Sequence, residues 1–210
     1  MVIGFEAFRE AFKGYEDCYT IIGGTACDIL MNKANLDFRA TRDIDMILLI
    51  ENRFEEFGEV LWKFIKDGAY RCGWKSSEKL HFYRFTEPQN PNYPIMIELF
   101  SKDTGYQLHE SDIVITPLHI SDEVSSLSAI MLNDDYYEFM MSGRKVVNGV
   151  GVLGAEHLIP FKMRAWLDLC RRKSEGEHVN SADIKKHKND VFRLMNVINP
   201  DEVINSKGRC

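Results

Sequence analysis

The segment that most restricts this chain is a short apolar strand, Cys18–Ile22, that runs straight into Gly23-Gly24 and then into helix-forming residues. Thr25, followed three residues later by Asp28, has the form of a capping box, so a helix is expected to open there and continue to about Lys33. A strand, a glycine turn and a helix N-terminus in succession put unpaired backbone N–H groups at the end of a sheet strand, where glycines permit close approach. The next apolar segment, Asp43 to Ile50, reads as a strand that becomes apolar on both faces, hence one in the middle of a covered sheet. Its acidic end faces the accessible edge.

Other elements follow from periodicity and breakers. Phe5, Phe8 and Phe12 mark an opening amphipathic helix that ends near Gly14. Phe54, Phe57, Leu61, Phe64 and Ile65 mark a second one, stopped by Asp67-Gly68. Leu80–Phe85 and Pro94–Phe100 read as paired strands joined by the turn-rich stretch from Pro88 to Asn92. Short strands or turns are expected over 106–132, then helices over Asp134–Met141, Ala155–Lys173 and Ser181–Ile198. These elements define an α+β fold, with a sheet-bearing part over 1–120 and a mainly helical part over 121–210 packed on it.

Composition narrows the classes. With 45% hydrophobic and 11% aromatic residues, the chain can bury a core and is not disordered. The apolar run Met46–Ile50 is far below the roughly 20 residues of a membrane-spanning helix. The first twenty residues lack the basic start and apolar middle of a secretory signal, so a cytoplasmic location is expected. Five scattered cysteines without C-x-x-C pairing suggest reduced thiols, and the irregularly spaced histidines suggest no zinc site. A net charge of −6 excludes a general nucleic-acid coat. From Pro160 to Arg193, however, nine Lys and Arg stand against five Asp and Glu. Two readings of that stretch stay open: a patch for a polyanion, or the solvated faces of two helices.

The chemistry lies in three acids. Residues two apart on a strand share a face, so Asp43 and Asp45 present carboxylates side by side, an arrangement that a divalent cation such as Mg²⁺ or Mn²⁺ makes favourable. Glu98 is a lone acid in the apolar strand Ile95–Phe100, and a buried carboxylate needs a partner, which the same metal site would supply. Three such carboxylates suit metal-assisted phosphoryl transfer. Gly23, Gly24 and Thr25 would receive the phosphates. Each part alone has a plain alternative: an ordinary tight turn, a solvated strand end, an exposed edge residue.

Taken together, Ile21-Ile22-Gly23-Gly24-Thr25-Ala26, then Asp43-Ile44-Asp45, then Ile97-Glu98-Leu99, resemble the three-part signature of the DNA polymerase β type nucleotidyltransferase superfamily. Gly-Gly-Thr-Ala with Arg39-x-Thr41-x-Asp43-Ile44-Asp45 is particularly similar to the AbiEii/AbiGii group, the toxin components of bacterial abortive-infection systems. The resemblance implies a nucleotidyltransferase-fold mixed sheet flanked by helices, a nucleoside triphosphate substrate, metal bound by Asp43, Asp45 and Glu98, an acceptor such as transfer RNA or a protein, and a cognate antitoxin. It also implies that Lys162 and Asp190, in the helical part, face the nucleotide. The group's first Lys is followed four or five residues later by another base, where this chain has Trp166 and Leu167. For Asp190 a helix-surface pair with Lys186 is the competing reading. Small-molecule acceptors, a binding module without turnover and a purely structural domain are the alternatives in function.

Overall fold

The computed structural model describes residues 2–49, 53–77, 80–102, 115–117 and 134–201. In chain order, the elements are α1 (Phe5–Ala11), β1 (Tyr19–Ile22), α2 (Gly23–Lys33), β2 (Asp43–Leu48), α3 (Phe54–Gly68), β3 (Arg71–Ser77), β4 (Leu80–Thr86), β5 (Met96–Lys102) and β6 (Ile115–Pro117). After them come α4 (Asp134–Ser142), β7 (Arg144–Val147), β8 (Val150–Leu153), α5 (Ala155–Ser174) and α6 (Ser181–Leu194). The strands form one mixed sheet in the order β6-β3-β4-β5-β2-β1-β8-β7. β2 runs antiparallel to β1 and parallel to β5, and β4 runs antiparallel to β5. The fold is α+β, as the sequence leads one to expect.

One face of the sheet is sealed by aromatic packing. Tyr19, on β1, has Phe8 of α1 at 5.6 Å and Phe57 of α3 at 6.3 Å between ring centroids. Phe12 joins Phe64 at 5.4 Å, so the period seen in Phe5, Phe8 and Phe12 is the stripe by which α1 meets α3 and the sheet. By strand alternation Ile21, Ile44, Met46, Ile97 and Leu99 share that face with Tyr19, and all five are buried. Asp43, Asp45 and Glu98 therefore project from the opposite face. α2 packs on β1 and β2 and also meets α5 and α6.

Three expectations change. The helix begins at Gly23, with Ile22 as its cap residue, so Thr25 lies inside the first turn and is no capping residue. Its hydroxyl instead donates to the Asp43 carbonyl at 2.5 Å, tying α2 to β2. The stretch between the helices of the C-terminal part contains the β7–β8 hairpin, and β8 joins the sheet parallel to β1 through Ile21 and Val152. The opening helix stops at Ala11. Most of 106–132, and the division near residue 120, lie outside the described residues. No described helix is long and apolar enough to cross a membrane. Cys18 and Cys27 are free and buried, and Cys170 is free and half-buried.

Candidate functional site

Register builds the site. Asp45 pairs with Glu98 across β2 and β5, Glu98 with Arg84 across β5 and β4, and Ile22 with Asp45 across β1 and β2. Arg84, Glu98, Asp45 and Ile22 thus form one row across four strands, and Asp43 stands two residues along on the same face. Ile22 is also the last residue before the glycine turn. Gly23 has φ of +68°, and a Cβ placed there would lie 2.0 Å from Asp45 Oδ2. The glycine is required both by its backbone conformation and by the carboxylate pressed against it.

Alternate residues leading into β2 line the other side of the turn. A Cβ on Gly24 would lie 2.8 Å from Thr41 Cγ2 and 3.1 Å from Arg39 Nη2. Together with the Thr25 bond to Asp43, these contacts lay Gly23-Gly24-Thr25 alongside Arg39, Thr41, Asp43 and Asp45. The Thr41 methyl and the Arg39 guanidinium flank Gly24, and the Asp45 carboxylate flanks Gly23.

Glu98 has a counter-charge within the chain, Arg84, that its lone position in the strand does not show. Arg84 donates from Nε and Nη2 to Oε1, each at 2.5 Å, and the two side chains are 17% and 10% exposed. Burial pushes the Glu98 carboxyl above its usual range, while the Arg84 charge and a hydrogen bond shared with Asp45 pull the other way. Two carboxyls in hydrogen-bond contact hold a proton or a cation between them. Among the described residues no three His, Cys, Asp or Glu side chains stand together as a ready-made metal cage. The oxygen donors of Asp43 and Asp45, with the Asp45–Glu98 contact beside them, nonetheless suit a hard divalent ion.

Lys162 and Asp190 meet each other, Nζ to Oδ2 at 3.1 Å. Arg39 completes the cluster, donating Nε to Asp190 Oδ1 at 3.0 Å and Nη2 to Oδ2 at 2.9 Å. The Asp190 side chain is 0% exposed and that of Arg39 25%, so Arg39 is the member that reaches solvent. Burial opposes the Asp190 carboxylate, but the Arg39 hydrogen bonds and the two cations hold it below its ordinary range. Burial pushes the adjacent Cys27 thiol up to about 11, so it stays neutral. Asp190 thus takes its partners from α5 and from the segment before β2. Arg84 is the site residue that sequence reasoning missed, and Arg39 stood there only as part of a motif, with no role given to it. Arg39 was visible as an alternate-position neighbour of Thr41 and Asp43; the pairing of Arg84 needed the β4–β5 register.

The basic stretch from Pro160 to Arg193 is paired in part within itself. Arg171 pairs with Asp168 and Glu175, Arg172 with Glu177, and Lys173 donates to Ser181, so its own acids and hydroxyls engage much of its charge.

No protein-family model matches this chain. No curated protein matches it either. Among solved structures it is similar to an antigenic nucleotidyltransferase-like protein from Paracoccidioides brasiliensis, with 14% sequence identity over 94% of this chain and 75% of that one and a TM-score of 0.47.

Proposed function

We propose that the protein transfers a nucleoside monophosphate from a nucleoside triphosphate to a hydroxyl acceptor, with release of pyrophosphate. The observation that carries this reading is the single row that sets Asp45 beside Glu98, with Asp43 on the same face and Gly23 pressed against Asp45. Asp43 and Asp45 would hold Mg²⁺ or Mn²⁺, with Glu98 adjoining. The chemistry such an ion would supply is positive charge near the reacting phosphate and a lowered pKa for the acceptor hydroxyl. The N–H groups at the start of α2 donate to the phosphate chain, and Gly23 and Gly24 keep that approach open. Glu98 would help to take the acceptor's proton. The resemblance to the AbiEii/AbiGii group favours transfer RNA or a protein as acceptor, and a cognate antitoxin as partner; a small-molecule acceptor is the competing form of the same chemistry.

The Arg84–Glu98 pair favours a second reading, a nucleotide-binding module without turnover, because the third carboxylate already has a cation. Incubation with each labelled triphosphate, Mg²⁺ and total cellular RNA or protein separates the two. The enzyme gives label transfer that Asp43→Ala abolishes. The binder gives metal-dependent nucleotide affinity with no transfer, and a chain that binds no triphosphate overturns both.

A further inference from the structure

A divalent ion held by Asp43 and Asp45 would offset only part of a triphosphate's charge, and the glycine turn carries no side-chain cation of its own. The cation that the turn needs is Arg39. We propose that Arg39 is the residue that recognises the distal phosphates of the nucleotide, held in position by Asp190, so that the C-terminal helices complete a site begun in the first fifty residues. This rests on the nucleotide-binding reading above and assigns within it a residue and a direction.

The argument is geometric. Nη2 of Arg39 sits against Gly24, while the Asp45 carboxylate sits against Gly23. Nε and Nη2 form a two-pronged bond to a carboxylate with no solvent exposure, which fixes the plane of the guanidinium. Asp190 also takes Lys162, so one buried anion serves two cations and the cluster keeps an excess positive charge. Lys162 is buried, so the excess is presented by Arg39, the half-buried member that reaches solvent, whose stacking over the Phe38 ring at 5.1 Å limits its swing. Thr41 adds an independent sign. It is 8% exposed, its Oγ1 has no hydrogen-bond partner among the described residues, and its methyl lies beside Gly24. Rotation about χ1 would exchange methyl and hydroxyl and let an oxyanion seated at the turn satisfy it. The row Arg39, Thr41, Asp43, Asp45 therefore runs from a cationic end to an acidic end. A phosphate chain lying along it places its distal phosphates on Arg39 and its metal-bridged phosphates near the aspartates. Asp190 and Lys162 act as positioning residues and do not touch the ligand.

Inorganic tripolyphosphate with Mg²⁺ is the direct probe, since it carries no base. Calorimetry on the full chain is expected to show binding that Arg39→Ala weakens about 10- to 100-fold, the usual worth of a charge-assisted contact. Mn²⁺ affinity, read by electron paramagnetic resonance, stays within about twofold, which general damage to the fold would not allow. Arg39→Lys keeps a cation for Asp190 and guards against misfolding; it is expected to weaken tripolyphosphate as well, because an ammonium cannot serve carboxylate and phosphate as a planar fork. Asp190→Asn weakens the probe in the wild-type background and adds little on Arg39→Ala. Wild-type affinity in both Arg39 variants overturns the inference while the transferase reading stands. A wild-type chain that binds neither tripolyphosphate nor any triphosphate overturns the parent reading.

Discussion

Gly23 and Glu98 put opposite demands on the same few ångströms, and each makes a measurable prediction. Gly23→Ala forces an L-residue into the left-handed region and drives a methyl into Asp45 Oδ2. The expected cost is about 1–3 kcal/mol in urea denaturation, accompanied by loss of Mn²⁺ binding as the carboxylate is displaced. At the far end of the row, Arg84→Met leaves Glu98 buried without its guanidinium, and a destabilisation of about 3–5 kcal/mol is expected. Adding Glu98→Leu removes the stranded charge. The double variant should recover most of that stability while losing any transfer activity, which would separate the structural weight of the pair from its chemical use.

At the scale of elements, the Asp190 cluster fastens α6 to α5 and to the strand that carries the aspartates. Its pH dependence has a definite sign. Asp190 is held below its ordinary value of 3.8, so its contribution is present above that value and is lost as the pH falls through the lower folded one. Asp190→Asn is therefore expected to be less stable than wild type at neutral pH, with the gap closing below pH 3.8 in a denaturation series. Glu98 runs the other way. Its raised value means a contribution present below the ordinary 4.5 and lost as the pH rises through the folded one. Most helices could be read from the sequence because their apolar stripes are long: α3, α4 and α5 start where periodicity places them. Thr25 misled because its hydroxyl has a better partner in the Asp43 carbonyl than in its own helix, a tertiary bond invisible to local pattern. The β7–β8 hairpin was legible in retrospect: Asn148 and Gly149 both have positive φ, 53° and 76°, as the Asn-Gly signal between short β-branched runs demands. The acids of the site stood out as polar residues in apolar strands, whereas the pairing of Arg84 with Glu98 and of Arg39 with Asp190 depends on strand register and on a contact between residues 151 positions apart, which local pattern does not carry.

For the whole molecule, the decisive fact is that the sheet does not stop where the first part of the chain does. β8 lies beside β1, so the strand that delivers the glycine turn has one neighbour from residues 43–48 and another from residues 150–153. A fragment of residues 1–120 leaves that flank of β1 uncovered and lacks both Lys162 and Asp190. It is expected to form soluble oligomers or aggregate on size-exclusion chromatography, where the full chain elutes as a discrete species. Co-expression with residues 121–210 should restore the discrete species if the two pieces associate. During synthesis the same arrangement sets a schedule. The flank of β1, the strand that delivers the glycine turn, stays open until the ribosome has passed Leu153, and whatever strand first reaches it, the chain's own or a stranger's, decides whether the nascent protein matures or is lost to intermolecular pairing.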